Sequence, residues 1–182
     1  MSNRRFAALL AATLGLAIPA PPTPATGAPP ATHCSTPVYR QFDFWLGDWD
    51  TYRVDKSGQV PPGSASVARN QVTAILGGCV LHEVYRRTDG YTGESLTIYD
   101  VTRHVWHQSW VTNEGELLVA EGDRQGKSIV LTGSSRDAQG VQLQRVSWTP
   151  QGGGVRETAL QSRDGGKSWT PLFDILFRPH RH

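Results

Sequence analysis

From residue 38 onward the chain consists of short segments of alternating apolar and polar residues, each ended by turn residues such as Asp, Gly or Ser. Alternation with a period of two is typical of a β-strand with one buried face. No long window in this part has a helical period, and the 182 residues leave room for one domain of ordinary size. The sequence therefore predicts an all-β fold, an antiparallel sandwich or barrel of about ten strands. The predicted strands cover residues 49–54, 64–76, 80–87, 95–99, 104–112, 116–121, 128–131, 141–148, 155–161 and 169–177.

The first 31 residues have the layout of a secretory signal peptide followed by a Pro/Ala-rich leader. Arg4 and Arg5 form a short positive region, residues 6–18 are an apolar run, and small residues and prolines follow. The apolar run is too short to be a permanent membrane anchor. We therefore expect export to the periplasm or the exterior, with residues 32–182 as the mature domain. The alternative is a tail that is never cut.

The charge balance excludes polyanionic partners, namely nucleic acids and anionic membrane surfaces. The formal net charge of +2 comes from Arg4 and Arg5, which leaves 16 basic and 16 acidic side chains in the predicted mature chain. No run of Lys or Arg remains that would suit a nucleic-acid backbone or an anionic membrane surface. We expect neither a nucleic-acid partner nor a membrane anchor after processing; the oligomeric state stays open.

Cys34 and Cys79 are the two cysteines of the chain. In an exported protein such a pair is more often a disulfide than two free thiols, because the compartment is oxidising. A reactive thiol is the alternative, but it would need an activating group, and the sequence shows none. The predicted disulfide would tie the N-terminal segment to the domain.

Residues 42–50 combine large apolar side chains with an acidic residue at each gap around a Gly-x-Trp core formed by Gly47 and Trp49. We expect Phe42, Phe44 and Trp45 to enter the core, whereas the aspartates cap turns or face solvent. Such a segment can begin a strand that closes one end of a barrel.

Residues 162–169 match the Asp-box pattern S-x-D-x-G-x-S/T-W. Asp164 can accept backbone hydrogen bonds within the turn, Gly166 can adopt a positive φ, and Trp169 can pack over the hairpin. Repeated Asp boxes build propellers, but one copy cannot. We interpret the motif as a structural turn, and a calcium site at Asp164 is disfavoured because no second carboxylate lies nearby in the sequence.

With these motifs the chain resembles a bacterial family of exported domains of unknown function that open with the signature F-D-F-W-L-G-x-W. The likeness extends from residue 40 to residue 178. Its other shared segments are residues 78–83, 93–95, 99–100, 106–111, 148–150 and 162–169.

The resemblance implies a closed lipocalin-like β-barrel, similar to nitrobindin and fatty-acid-binding proteins. Gly47 and Trp49 then match the G-x-W element of the first strand in such barrels. The tryptophan closes the barrel base, and an arginine of the last strand lies across its ring. Arg178 is the candidate for that arginine.

A closed barrel has an interior lined by alternate residues of each strand. Parity places Glu83, Ser95 and Gln108 inside, among aromatic residues, and Arg145 is expected to pair with the buried Glu83. The residues predicted to line a ligand site are Glu83, Tyr85, Ser95, Tyr99, Trp106, Gln108, Trp110 and Arg145. The alternative is an interior filled by side chains whose polar groups satisfy one another.

The sequence predicts no metal and no cofactor. Haem is disfavoured because His82 and His107 fall on the face opposite the interior by parity, and the mature chain has no methionine as a second axial ligand. No pair of histidines has the spacing of a zinc site with a supporting carboxylate.

Three functional hypotheses follow. The first is binding of a small apolar or amphipathic molecule inside the barrel. The second is an isomerase or cyclase that uses Glu83 as a general acid or base, because an aromatic pocket would raise its pKa. The third is a packed barrel that acts as a partner-binding module.

Overall fold

A computed structural model describes residues 34–181, so the predicted signal segment lies outside the described part. The described chain forms one closed antiparallel barrel of ten strands, as the sequence predicts. Each strand pairs with the next along the chain, and the last strand pairs with the first. The strands are β1 Gly47–Arg53, β2 Ala68–Ile75, β3 Val80–Arg87, β4 Thr92–Asp100, β5 Val105–Thr112, β6 Leu117–Gln125, β7 Ser128–Asp137, β8 Gly140–Gln151, β9 Gly154–Ser162 and β10 Thr170–Pro179. Within residues 34–181 no helix is long and apolar enough to cross a membrane.

The β7–β8 hairpin is longer than the sequence predicts. The predicted strands over residues 128–131 and 141–148 extend to Asp137 and back to Gly140. The additional residues are mainly polar and exposed, so they lack the apolar alternation of a half-buried strand. Backbone pairing, with hydrogen bonds from Gln142 Nε2 and Gln144 Nε2 to Ser135 Oγ at 3.1 and 3.0 Å, extends the two strands to the turn. There Asp137 accepts a hydrogen bond from the Gln139 amide at 2.9 Å.

One end of the barrel is closed by the N-terminal segment, which forms the two short 3₁₀ turns Pro37–Arg40 and Asp43–Trp45. Phe42 and Trp45 are buried and form a plug. The Trp45 ring packs edge-on against Phe177 with centroids 4.5 Å apart, and Phe42 packs against Trp148 at 5.4 Å. Aromatic rings in these arrangements bury large areas, so this end has an apolar core.

The opposite end of the barrel, the open end, is less filled. Tyr85, Trp110 and Gln144 face inward there, yet they remain half-buried. The side chains at this end are therefore more exposed to solvent than those at the plug.

The Gly-x-Trp core packs as a unit, but the prediction that Arg178 lies across the Trp49 ring is wrong. A Cβ on Gly47 would lie 2.5 Å from Trp49 Cζ2, so the ring uses the space that glycine leaves. Trp49 stacks on Trp45 with centroids 6.3 Å apart. Arg178 lies over Tyr52 instead, at 5.3 Å from the ring centroid. It pairs with Asp50, one residue past Trp49, and cross-strand partners share a face, so Arg178 points outward.

A disulfide joins Cys34 to Cys79, as predicted, with 5.0 Å between the Cα atoms and a sequence separation of 45. Beside it, Arg40 Nη2 donates to the Gly78 carbonyl at 2.6 Å. The plug is thus held to the loop before β3 both covalently and by a charged hydrogen bond.

Candidate functional site

A buried carboxyl group, that of Glu83, lies midway between the plug and the open end. It sits on β3 between Leu81 and Tyr85, and its side chain is 5% exposed. Ser95 Oγ donates to Glu83 Oε2 at 2.8 Å, and Asn70 Nδ2 donates to Glu83 Oε1 at 3.1 Å. Ser95 is the direct cross-strand partner of Glu83 on β4, so strand register itself brings these two groups together.

The polar network continues along the barrel wall from Ser95 to β5. Gln108 Nε2 donates to Ser95 Oγ at 3.3 Å and to Thr97 Oγ1 at 3.1 Å. All three residues are buried. Because each hydrogen bond fixes the orientation of the next group, the wall from β2 to β5 presents a preorganised polar surface to the interior.

A second carboxyl, that of Glu157 on β9, faces the same interior. It shares the inward face of β9 with Val155 and Ala159, which are fully buried, and it pairs in register with Trp148 on β8. β9 is four strands from β3 in the closed order, so the two carboxyls approach each other from across the barrel. Glu157 is absent from the site residues predicted from the sequence, although it shares one strand face with Val155 and Ala159.

Burial raises the pKa of Glu83 to about 7. The hydrogen bonds from Ser95 and Asn70 lower this pKa, as does the charge of nearby His82, but desolvation exceeds them. The pKa of Glu157 is raised well above its usual value by desolvation first and by repulsion from the Glu83 carboxylate second. Glu157 keeps some exposed surface, but the barrel wall surrounds it and desolvation still dominates.

Neither carboxyl has a cationic partner. Among the ion pairs of residues 34–181, none includes Glu83 or Glu157. The indole of Trp148 lies near enough to favour the charged form of Glu157, yet Trp148 Nε1 makes no hydrogen bond of normal geometry. The site is therefore short of positive charge, and its carboxyls tend to hold protons at neutral pH.

Several buried polar atoms near this centre have no hydrogen-bond partner. Asn70 Oδ1 is one, because the amide nitrogen of Asn70 is directed to Glu83. Thr51 Oγ1 and Trp148 Nε1 are others, and all three residues are at most 2% exposed. An unpaired polar group in a protein interior costs about 1–3 kcal/mol, so such groups mark a place where a bound molecule would supply partners.

The predicted aromatic residues divide between the two ends of the barrel. Tyr85 and Trp110 face the open end with ring centroids 6.2 Å apart. Tyr99 and Trp106 instead pack with the closed end, where Trp106 is fully buried and lies 5.6 Å from Phe42. Tyr85 and Trp110 are thus the aromatic residues above the Glu83 network.

The expected pairing of Arg145 with Glu83 is wrong. Arg145 pairs with Thr132 and Leu160 on the outer face, because its neighbour Val146 faces the interior. Its guanidinium lies over the Trp169 ring, 4.0 Å from the centroid. Arg145 thereby braces the Asp-box turn from outside the barrel.

The Asp-box turn has the local geometry that its motif predicts. Asp164 accepts hydrogen bonds from the Ser168 amide at 2.9 Å and from Ser162 Oγ at 2.7 Å, and Gly166 has a φ of +88°. Trp169 Nε1 donates to the Gly166 carbonyl at 3.0 Å. The carboxylate is fully used within the turn, which supports a structural role.

Two surface depressions of the described chain, of about 300 and 340 Å³, are lined by neither Glu83 nor Glu157. One adjoins the Asp-box turn, and the other lies beside Tyr99 and His107.

The histidines considered for haem lie on the outer face. His82 Nε2 is 2.9 Å from Glu94 Oε2, and His107 Nδ1 is 2.8 Å from Glu121 Oε1. Within residues 34–181 no group of three or more His, Cys, Asp and Glu side chains is placed to hold a metal ion.

Comparison with known proteins adds no identification: no protein-family model matches the chain, and no curated protein does. The closed ten-strand antiparallel barrel agrees with the lipocalin-like barrel that the sequence resemblance implies. Membership in the family with the F-D-F-W-L-G-x-W signature stays a prediction.

Proposed function

We propose that the protein binds a small amphipathic molecule inside the barrel, with its polar end at Glu83 and its apolar part toward the open end. The observation that supports this most is the Glu83 network itself. Burying a carboxyl and several amide and hydroxyl groups costs free energy, and a packed barrel core would be as stable with apolar residues in their place.

The lining residues have separate roles in this proposal. Glu83, Ser95 and Gln108 form the polar wall that orients the ligand. Tyr85 and Trp110 contact its apolar part, because they are the half-buried aromatic residues on the open side of the network. A few fixed polar groups within an aromatic lining are the usual composition of a small-molecule site.

We infer that the protein acts after export, with residues 1–31 removed. The disulfide supports this, because such bonds persist in oxidising compartments and are rare in the cytosol. The intact mass of the protein recovered from its host tests the inference. A mass that includes residues 1–31 would overturn it.

Native mass spectrometry of the protein purified from its own host tests the binding function. We expect a retained small molecule, and compounds of the same class should raise the melting temperature of the emptied protein. Ser95→Ala should weaken that rise, whereas Ser147→Ala, on the outer face of β8, should not. No retained molecule and no shift across a panel of small alcohols, acids, amines and haem would refute the proposal and favour a packed partner-binding module.

One observation favours an enzymatic alternative. A carboxyl whose pKa is about 7 can both accept and donate a proton at neutral pH, and Glu83 has this property. In this alternative Glu83→Gln keeps ligand binding but abolishes turnover. A Glu83→Gln variant that converts the retained ligand as fast as the wild type would exclude the enzymatic role.

A further inference from the structure

Three polar side chains on the outer face of β5 and β6 form a hydrogen-bonded chain. His107 and Ser109 lie two residues apart on β5 and so point to the same side, and Glu121 is the cross-strand partner of His107 on β6. His107 Nδ1 is 2.8 Å from Glu121 Oε1, and His107 Nε2 is 3.1 Å from Ser109 Oγ. A hydroxyl, an imidazole and a carboxylate in this order are a nucleophile, its general base and the group that orients the base.

The contacts of Glu121 fix the direction of these hydrogen bonds. Arg103, in the turn before β5, donates from Nη1 to Glu121 Oε2 at 2.9 Å, and the hydrogen bonds from Arg103 and His107 lower the pKa of Glu121. Because a charged carboxylate only accepts hydrogen bonds, a neutral His107 carries its proton on Nδ1. Its Nε2 atom is then unprotonated and accepts from the Ser109 hydroxyl, as general-base activation of that hydroxyl requires.

The surface around Ser109 is apolar. Its cross-strand partners are Leu96 on β4 and Val119 on β6, and both are exposed. Val111 and Leu117 pair with each other in the adjoining row and are exposed as well. Because contiguous exposed apolar residues are typical of a binding surface, an apolar chain can lie against this part of the wall beside the hydroxyl.

A surface depression of about 340 Å³ begins at His107 and extends along the end of β4, on the side away from Ser109. Tyrosine, isoleucine and valine side chains are part of its lining, so it accepts an apolar or aromatic group. Arg103 lines it as well: its Nε donates to Asp100 and its Nη atoms contact Glu121, yet a guanidinium has five N–H donors. The N–H bonds outside these contacts can meet a substrate oxygen that becomes negative.

We propose that Ser109, His107 and Glu121 form a second functional site, which hydrolyses small carboxylic esters with an apolar acyl chain. The acyl chain lies on the apolar surface around Ser109. The alcohol part occupies the depression, where His107 can protonate it as it leaves. This site is on the outer face of the barrel, so it does not depend on ligand binding in the interior.

The reaction has two steps. In the first, Ser109 Oγ bonds to the ester carbonyl carbon while its proton passes to His107 Nε2; the bond from that carbon to the alcohol oxygen then breaks, and the alcohol leaves with this proton. In the second, the oxygen of a water molecule bonds to the acyl carbon and one water proton passes to His107 Nε2. The bond to Ser109 Oγ breaks, and Ser109 regains its proton from His107. Ester and water thus give carboxylic acid and alcohol, and nothing is oxidised or reduced.

Hydrolysis of p-nitrophenyl hexanoate by the full, oxidised protein tests the site. A surface imidazole can hydrolyse such an activated ester without a serine, so the decisive variant is Ser109→Ala, which keeps His107. It should lower kcat/KM about tenfold or more, and Glu121→Gln should lower kcat with little change in KM. Ser134→Ala is the matched control, because Ser134 is exposed and lies in the same cross-strand row, on β7. Equal rates for the wild type and Ser109→Ala overturn the proposal.

A covalent label tests the nucleophile without any variant. Diisopropyl fluorophosphate transfers its phosphoryl group to an activated serine oxygen and releases fluoride. Peptide mass spectrometry of the treated protein should find the label on Ser109 and not on Ser134. His107→Ala should reduce this labelling about tenfold or more, because the hydroxyl then has no base. An unlabelled Ser109, or equal labelling of both serines, overturns the proposal.

The length of the acyl chain tests the substrate class. The kcat/KM for p-nitrophenyl hexanoate should exceed that for p-nitrophenyl acetate by about fivefold or more, because the longer chain covers the apolar surface. Leu96→Thr should reduce this ratio and leave the rate with acetate unchanged. A ratio near one in the wild type overturns the assignment of an apolar acyl chain.

Discussion

The buried Glu83 carboxyl makes the stability of this protein depend on pH in a way that one substitution should remove. Glu83→Gln keeps the size of the side chain, and its amide oxygen can still accept from Ser95. If the Asn70 amide rotates, the new amide nitrogen can donate to Asn70 Oδ1, in exchange for the hydrogen bond that Asn70 Nδ2 donates to Glu83. The variant therefore loses the ionisable group without leaving a cavity and without increasing the number of unpaired polar atoms. We expect it to be more stable than the wild type at alkaline pH.

The magnitude follows from the raised pKa. The folded protein holds a proton on Glu83 up to a pH of about 7, whereas the unfolded chain releases it above a pKa of 4.5. The stabilising contribution of this proton is complete below pH 4.5 and is lost as the pH rises from 4.5 through 7. Each unit of pH between these values costs about 1.4 kcal/mol of unfolding free energy, which sums to about 3 kcal/mol.

Urea denaturation of the oxidised protein at several pH values between 4 and 8 measures this difference. The free energy of unfolding of Glu83→Gln minus that of the wild type should increase by about 3 kcal/mol across this range and level off above pH 7. Glu114→Gln, in the exposed turn between β5 and β6, should follow the wild type. Parallel curves for the wild type and Glu83→Gln would refute the argument that burial perturbs this carboxyl.

Three further predictions concern the scaffold. Removing the disulfide by Cys34→Ser with Cys79→Ser should lower the free energy of unfolding by about 4 kcal/mol, because the bridge closes a loop of 45 residues in the unfolded chain; urea titrations with and without reductant check this. Trp49→Ala should cost about 3–5 kcal/mol, whereas Arg178→Ala on the outer face should cost at most about 1 kcal/mol, and equal losses in denaturation would contradict the packing described. Arg145→Ala should shift the fluorescence of Trp169, whose ring lies against the Arg145 guanidinium, and should leave ligand affinity unchanged. Weaker ligand binding by this variant would show that Arg145 contributes to the site.

Much of the fold follows from local patterns in the sequence. Alternation along β3, β4 and β5 places Glu83, Ser95 and Gln108 on one face of their strands, and the structure has all three facing the interior. The disulfide follows from the cysteine count and the expected compartment. These features depend only on periodicity and composition, which a single sequence carries.

The errors arise where the face of a strand depends on its neighbours. In β8, apolar residues occur on both faces, since Val141 is exposed and Val146 is buried, so the orientation of Arg145 is ambiguous from the sequence. The direction of Arg178 depends on the pairing between the first and last strands, and a shift of one residue reverses it. Such long-range register is absent from local periodicity.

Glu157 shows a second limit of prediction from the sequence. The sequence shows that Glu157 shares a strand face with Val155 and Ala159. A glutamate on an apolar face indicates a functional site only once another acidic group is known to lie opposite it. That proximity arises from closure of the barrel, which brings together β3 and β9.

The pairing of β1 with β10 has a consequence for how the protein is made. Two strands from opposite ends of the domain complete the hydrogen-bonded ring, so the ring cannot close until the final residues of β10 have been synthesised. Contacts of such long sequence separation slow folding, and until closure both terminal strands present unpaired backbone edges. The interval between synthesis and closure is thus the period in which β1 and β10 can pair with strands of another chain.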